Sequence, residues 1–241
     1  VVRTQGGNIV SGTAGRSGRL FMSPRDIGLF LRSARTDSTI AATREQLGAA
    51  AAFDAAYANG DPWASADPRY RYQRRKYEVI AGLLPPRRFA RALDIGCGVG
   101  LLSRHLAATA DNVLGIDIAS RAVAQACEAN ADLPHIRFTQ GDVLDLPDSL
   151  DDGFDLVVLA DTLYYLPPPL TDATLKHVAL RVGRLLRPGG VCLLANHYFT
   201  GADADSRLSR RIHRAFAWSP ALHVRAEHRR PFYLVTLLDK A

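Results

Sequence analysis

The stretch "LDIGCGVG", Leu93–Gly100, decides how the rest of the chain is read. It closes a short apolar run, "RALDIGC", that has the pattern of a buried strand. Gly96, Gly98 and Gly100 then alternate, and "GLLSRHLAATA" continues with helical spacing. Glycine reaches backbone conformations closed to other residues, and its missing Cβ lets a ligand lie against the main chain. The helix start behind such a turn offers free N–H groups. By itself the turn serves many nucleotides or only packing, so the surrounding sequence must say which.

Downstream, "NVLGIDIA", "HIRFTQGDV", "FDLVVLAD" and "GVCLLANH" read as strands. The helical runs "RAVAQACEAN", with Ser120 as its expected N-cap, and "TDATLKHVALRVGRLL", stopping at "RPGG", lie between them. Continuously apolar strands alternating with helices predict a parallel sheet covered on both faces. The tail, "ALHVRAEHRRPFYLVTLLDKA", holds two β-rich runs with too little chain between them for a crossover helix, so a terminal antiparallel hairpin is expected. Upstream, "LGAAAAFDAAYANG" predicts a short helix ended at Asn59-Gly60, and residues 69–84 a second one with Tyr70, Tyr77, Ile80 and Leu84 on one face. An Arg74–Glu78 pair is expected on its surface. Residues 1–45, rich in Gly, Ser, Thr and Arg, predict a poorly ordered arm, and the lone Met22 suggests a translation start there.

Three carboxylates close successive strands: Asp94, Asp117 and Asp142. Asp117 stands 21 residues beyond Gly96, where a carboxylate can accept both ribose hydroxyls. Asp142 can accept from an adenine amino group while the Val143 backbone covers the ring edge. A dinucleotide would require G-x-G-x-x-G, and here the spacing is G-x-G-x-G. Asp94, two residues before the first glycine, would repel a pyrophosphate. A ligand with an ammonium and a sulfonium suits it, which points to S-adenosylmethionine.

With "LDIGCGVG", "GIDIA", "GDV", "FDLVVLADTLYYL" and "LLRPGG" in order, residues 85–241 resemble the class I S-adenosylmethionine-dependent methyltransferases. The resemblance implies an α/β fold, a Rossmann-like seven-stranded sheet with helices on both faces and the last antiparallel strand beside the fifth. It implies that Asp94, Gly96 and Gly98 hold the methionine end, Asp117 the ribose and Asp142 the adenine. Cys97, Ile118, Val143, Asp161, Tyr70 and Arg74 complete the expected cofactor contacts. "DPW", "YRYQRRKYEVI" and "DLVVLADTLYYL" are more narrowly similar to nodulation-type (NodS-like) N-methyltransferases, which act on an amino sugar; Asp161 stands where that group usually has Glu. The expected division is an N-terminal arm over 1–45, a helical lid over 46–86 and a methyltransferase domain over 87–241.

For the acceptor side, an amine must be neutral to attack, so a carboxylate, His or Tyr must take its proton. Asp161, Tyr165 and His197 are the catalytic candidates, with Tyr164 beside them; the position of Asp161 equally suits a cap on its own turn, and that of His197 a structural hydrogen bond. Trp63, Tyr70, Arg74 and Lys76 are expected ligand contacts from the lid. His213 with Arg210, Arg211 and Arg214 has helical spacing that suits either a solvated face or a pocket for an acidic substrate.

Composition narrows the classes. Of the 30 cations only Lys76, Lys176 and Lys240 are lysine, an arginine bias that weakens the case for nucleic acid despite the net charge of +6. Cys97, Cys127 and Cys192 lie far apart and predict neither a disulfide framework nor a metal site, in keeping with a cytoplasmic setting. No apolar run reaches the length of a membrane span. The expected partner is a small-molecule acceptor. An RNA methyltransferase and an inactive, binding-only relative of the fold remain the alternative readings.

Overall fold

The computed structural model describes residues 24–230 and 232–241. Seven strands form one sheet in the order β3-β2-β1-β4-β5-β7-β6. Strands β1 (Phe89–Ile95), β2 (Ala110–Asp117), β3 (Ile136–Gln140), β4 (Phe154–Ala160) and β5 (Leu186–His197) run parallel. The hairpin β6 (Leu222–Arg230) and β7 (Tyr233–Lys240) closes the edge, with β7 antiparallel to both β5 and β6. This is the fold of the class I methyltransferases.

Helix α1 spans Pro24–Leu47, α2 Ala49–Ala56, α3 Arg71–Ala81, α4 Leu101–Leu106, α5 Ser120–Ala129, α6 Asp172–Leu185 and α7 Ala204–Ala217. Leu175, Val178, Ile212 and Phe216 bring α6 and α7 onto one face of the sheet. Ile80, Leu102 and Leu106 bring α3 and α4 onto the other. Strand β4 is buried along nearly all its length, which is why its sequence shows no polar alternation. Its Asp155 is buried but satisfied: the amides of Ala90 and Arg91 donate to it at 2.7 and 2.8 Å, and Arg187 pairs with it.

Several expectations are corrected. Over residues 24–45 the expected arm is helix α1; the rest of that arm and Met22 lie outside the described residues. Its amphipathic pattern is weak: among the described residues Ile40 is buried, Ile27, Leu31 and Leu47 are exposed, and the charged Asp26 is buried. Pro24 and Asp26 suit its first turn and Arg44 its last. Ser120 does not cap α5: Ala119 holds that position and the Ser120 hydroxyl donates to Asp54. The buried face of α3 is Tyr72, Lys76 and Ile80, and Glu78 pairs with Arg75 rather than Arg74. "RPGG" lies inside β5, where the pairing with β4 shifts register.

Candidate active site

Parallel strands direct the carboxyl ends of β1 to β5 to one edge, and the strand order reverses between β1 and β4, where open α/β sheets form their crevice. A cavity of about 650 Å³ lies there. Its floor is the glycine turn. Gly96 and Gly98 have φ of +75° and +53°, in the left-handed region. A Cβ on Gly96 would collide with Thr162, and one on Gly98 would come within 2.9 Å of the Tyr57 hydroxyl. Asp117 holds the turn from β2, its carboxylate accepting from the Gly98 amide at 2.9 Å and the Ala119 amide at 3.0 Å. Cys97, Ile118, Asp142 and Val143 also line the cavity.

Asp94 does not reach the wall. It lies beneath the turn, 1% exposed, and accepts from Ser103 Oγ of α4 at 2.6 Å. Burial lifts its carboxyl from the ordinary 3.8 to about 6, Ser103 opposing the rise. The fold therefore favours the protonated acid, a stabilisation fully present below pH 3.8 and lost as pH rises through 6. Asp94→Asn keeps a partner for Ser103 without the charge. The variant is expected to gain about 2 kcal/mol near pH 7.5 and nothing near pH 4, measured by denaturant unfolding; a loss at both values would contradict this origin.

The other half of the cavity gathers Asp161, Tyr164, Tyr165 and His197 with residues from the N-terminal helices. Asp161 follows β4 with φ +54°, a left-handed conformation that Asp tolerates better than most residues. Its carboxylate pairs with Lys76 of α3, whose side chain is 5% exposed, while Asp161 Oδ1 is buried without a hydrogen-bond partner. Lys76 also lies 5.6 Å from the Tyr233 ring centroid. Burial lowers the pKa of His197, with Asp161 opposing, so its imidazole is neutral at neutral pH. Above these groups, Asp37 of α1 accepts from the Tyr165 hydroxyl at 2.6 Å and from Trp63 Nε1 at 2.8 Å. Burial raises the Asp37 carboxyl, and the charges of Asp161 and Asp205 add to the rise. Phe53 packs edge-on to Tyr165 at 5.5 Å, and Tyr57 packs on Trp63 at 5.6 Å.

The structure thus brings Trp63, Tyr70 and Lys76 to the cavity but not Arg74, which is exposed and donates to the Pro68 carbonyl. The cluster on α7 is no acid pocket: its arginines lie on the solvent-facing side, and His213 alone turns into the core. His213 is 3% exposed against Thr236 Oγ1, and burial takes its pKa down to about 3. Arg210 stacks on Tyr198, Arg211 pairs with Asp172, and Arg214 lies over Trp218. Sequence reading missed Asp37, Arg44, Tyr57 and Asp205, all on the cavity wall. No local pattern marks Asp37 or Arg44; only the packing of α1 across the strand ends gives them a role.

The donor set fits an adenosine-bearing cation better than a phosphate ligand. Asp117 and Asp142 sit at two strand ends, the turn approaches without side chains, and the lining cations, Arg44 and Lys76, stand on α1 and α3 away from it. Among the described residues no helix is long and apolar enough to cross a membrane.

Residues 92–190 match a family model described as a methyltransferase domain. Trans-aconitate 2-methyltransferase of Deinococcus radiodurans is 35% identical over 49% of this chain and 43% of its own length. Nodulation protein S of Sinorhizobium fredii is 29% identical over 65% of this chain and 67% of its own. The chain spans about half the length of most of the curated relatives it matches, 43% and 51% for the first two. The N-methyltransferase NodS from Bradyrhizobium japonicum, in complex with S-adenosyl-L-homocysteine, superposes with a TM-score of 0.64 at 22% identity, covering 79% of this chain and 97% of that one.

Proposed function

We propose that this chain, whose residues 92–190 match a methyltransferase domain, transfers a methyl group from S-adenosylmethionine to the nitrogen of a small-molecule amine. The observation that carries the amine is the pairing of a carboxylate that already holds an ammonium, Asp161 with Lys76, with a neutral imidazole, His197, in one cavity. Gly96, Gly98 and Asp117 would hold the cofactor from the turn side, and Asp142 with Val143 from β3. When bound, the cofactor supplies a methyl group on a sulfonium, activated for in-line displacement. The chain's own residues then have three tasks.

Asp161 attracts the acceptor as an ammonium and orients it. His197 takes the proton that frees the nitrogen lone pair. The roof of Phe53, Tyr57, Trp63 and Tyr165 keeps water from the reacting atoms and offers aromatic faces to the methylated, still cationic product. The similarity in fold to a solved N-methyltransferase supports nitrogen as the acceptor atom.

The test is a methyl-transfer screen of amines against matched hydroxyl compounds, followed by a pH profile of kcat. Because His197 is needed neutral and burial moves its pKa below the ordinary 6.5, the acid limb of kcat with an amine is expected to lie below pH 6.5. In His197→Asn that acid limb should disappear into a low residual rate. Transfer to hydroxyls alone would overturn the reading, and an unchanged limb would remove His197 from it.

A further inference from the structure

The protein is basic, with a net charge of +6, yet its cavity is acidic. Asp37, Asp117, Asp142, Asp161 and Asp205 line it against Arg44 and Lys76 among the described residues. Asp117 and Asp142 belong to the glycine-turn half. The acceptor half is left with Asp37, Asp161 and Asp205, whose fields overlap: Asp161 and Asp205 both act on Asp37, and both act on His197. Carboxylates this close repel one another unless cations stand between them.

The cations present do not discharge that half. Arg44 of α1 donates to the Tyr165 carbonyl at 2.8 Å and the Leu166 carbonyl at 3.3 Å and keeps its charge, so two cations stand against three carboxylates. Lys76 meets one oxygen of Asp161 and leaves Oδ1 buried without a partner. Asp205, exposed at the rim in the first turn of α7, makes no ion pair among the described residues. The same cavity is lined by the rings of Trp63, Tyr164 and Tyr165. Aromatic faces beside carboxylates favour organic cations.

We infer that the acceptor is a small molecule bearing at least two ammonium groups, one held at Asp161 beside His197 for methylation and a second received by Asp205 and Asp37 near the rim. The inference rests on the amine reading of the same site and narrows it. The second ammonium keeps its protons and its charge, so it contributes binding at the far carboxylates without competing for the imidazole. A monoamine fills only the inner position. An amino acid of equal length would place its carboxylate among like charges at the rim.

The experiment compares a four-carbon diamine, the matched monoamine and the matched amino acid as acceptors, with calorimetric binding of each in the absence of cofactor as a second readout. The diamine is expected to exceed the monoamine about tenfold in kcat/KM and in affinity, the worth of one partly exposed ion pair near a protein surface. Asp205→Asn should bring that ratio towards one, with an unchanged melting temperature showing that the fold is intact. Equal use of diamine and monoamine, or a ratio that survives Asp205→Asn, would overturn the inference while leaving amine methylation standing. Preference for the amino acid would also overturn it. Transfer to hydroxyls and to no amine would overturn both readings together.

Discussion

Asp161→Asn is expected to lower kcat with an amine acceptor about a hundredfold or more, the range of a lost proton-handling or orienting carboxylate, while cofactor affinity changes less than about twofold. The size follows from position. Asp161 is fixed by a left-handed backbone, by its amide donating to the Ala195 carbonyl at 2.8 Å and by Lys76. Asparagine fits the same shape but presents no charge to an incoming ammonium and leaves Lys76 facing a neutral amide. Breaking a mostly buried pair on one side costs about 2 kcal/mol after allowing for the partial exposure of Asp161. The double variant Lys76→Met/Asp161→Asn should recover much of that stability and none of the turnover. Steady-state kinetics and denaturant unfolding on the three proteins separate the two effects, and a normal kcat in Asp161→Asn would remove the residue from the mechanism.

Gly96→Ala is expected to weaken cofactor binding about a hundredfold, equivalent to some 2.7 kcal/mol, and to destabilise the fold by about 3 kcal/mol. Two costs add. The φ of +75° is strained for any residue with a Cβ. The new methyl would stand 2.5 Å from Thr162 Cγ2 and 2.9 Å from Thr162 Cβ. Thr162 cannot retreat freely, since its hydroxyl lies 3.0 Å from the Ile95 carbonyl and ties the end of β4 to the end of β1. Moving it displaces Asp161 next to it, so the glycine turn and the Asp161 carboxylate are mechanically one unit. Thr162→Ala in the Gly96→Ala background should relieve the collision and return part of both losses, leaving the backbone strain. Calorimetric titration with S-adenosylmethionine reads the outcome, and wild-type affinity in Gly96→Ala would refute the close packing of the turn.

The segment Asp61–Leu84 shows how far local pattern carries. Its interleaved rings and cations look like a surface for nucleic acid. In the fold Tyr72 and Lys76 turn inward with Ile80, Trp63 bonds to Asp37, and Arg74 turns outward. The choice between inward and outward lysine depends on Asp161, 85 residues away, which no window along the chain contains. The same reasoning explains His213: helical spacing put it beside three arginines, and the rotation of α7 against β7 put it in the core.

The sheet and its glycine turn are legible along the chain. Strand and helix periods are local, a positive φ selects glycine locally, and Asp117 and Asp142 are legible because a strand's end is where its apolar run stops. The other half of the cavity exists only in the folded chain. Asp37, Arg44, Lys76, Asp161 and Asp205 come from α1, α3, the turn after β4 and α7, and they become one site because those elements pack over the same strand ends. The fold also keeps Asp94 from the wall, since a carboxylate at the end of β1 points up to a ligand or down to Ser103 according to what α4 offers it. Charge and burial are properties of the assembled neighbourhood, and the chemistry of this cavity is made of both.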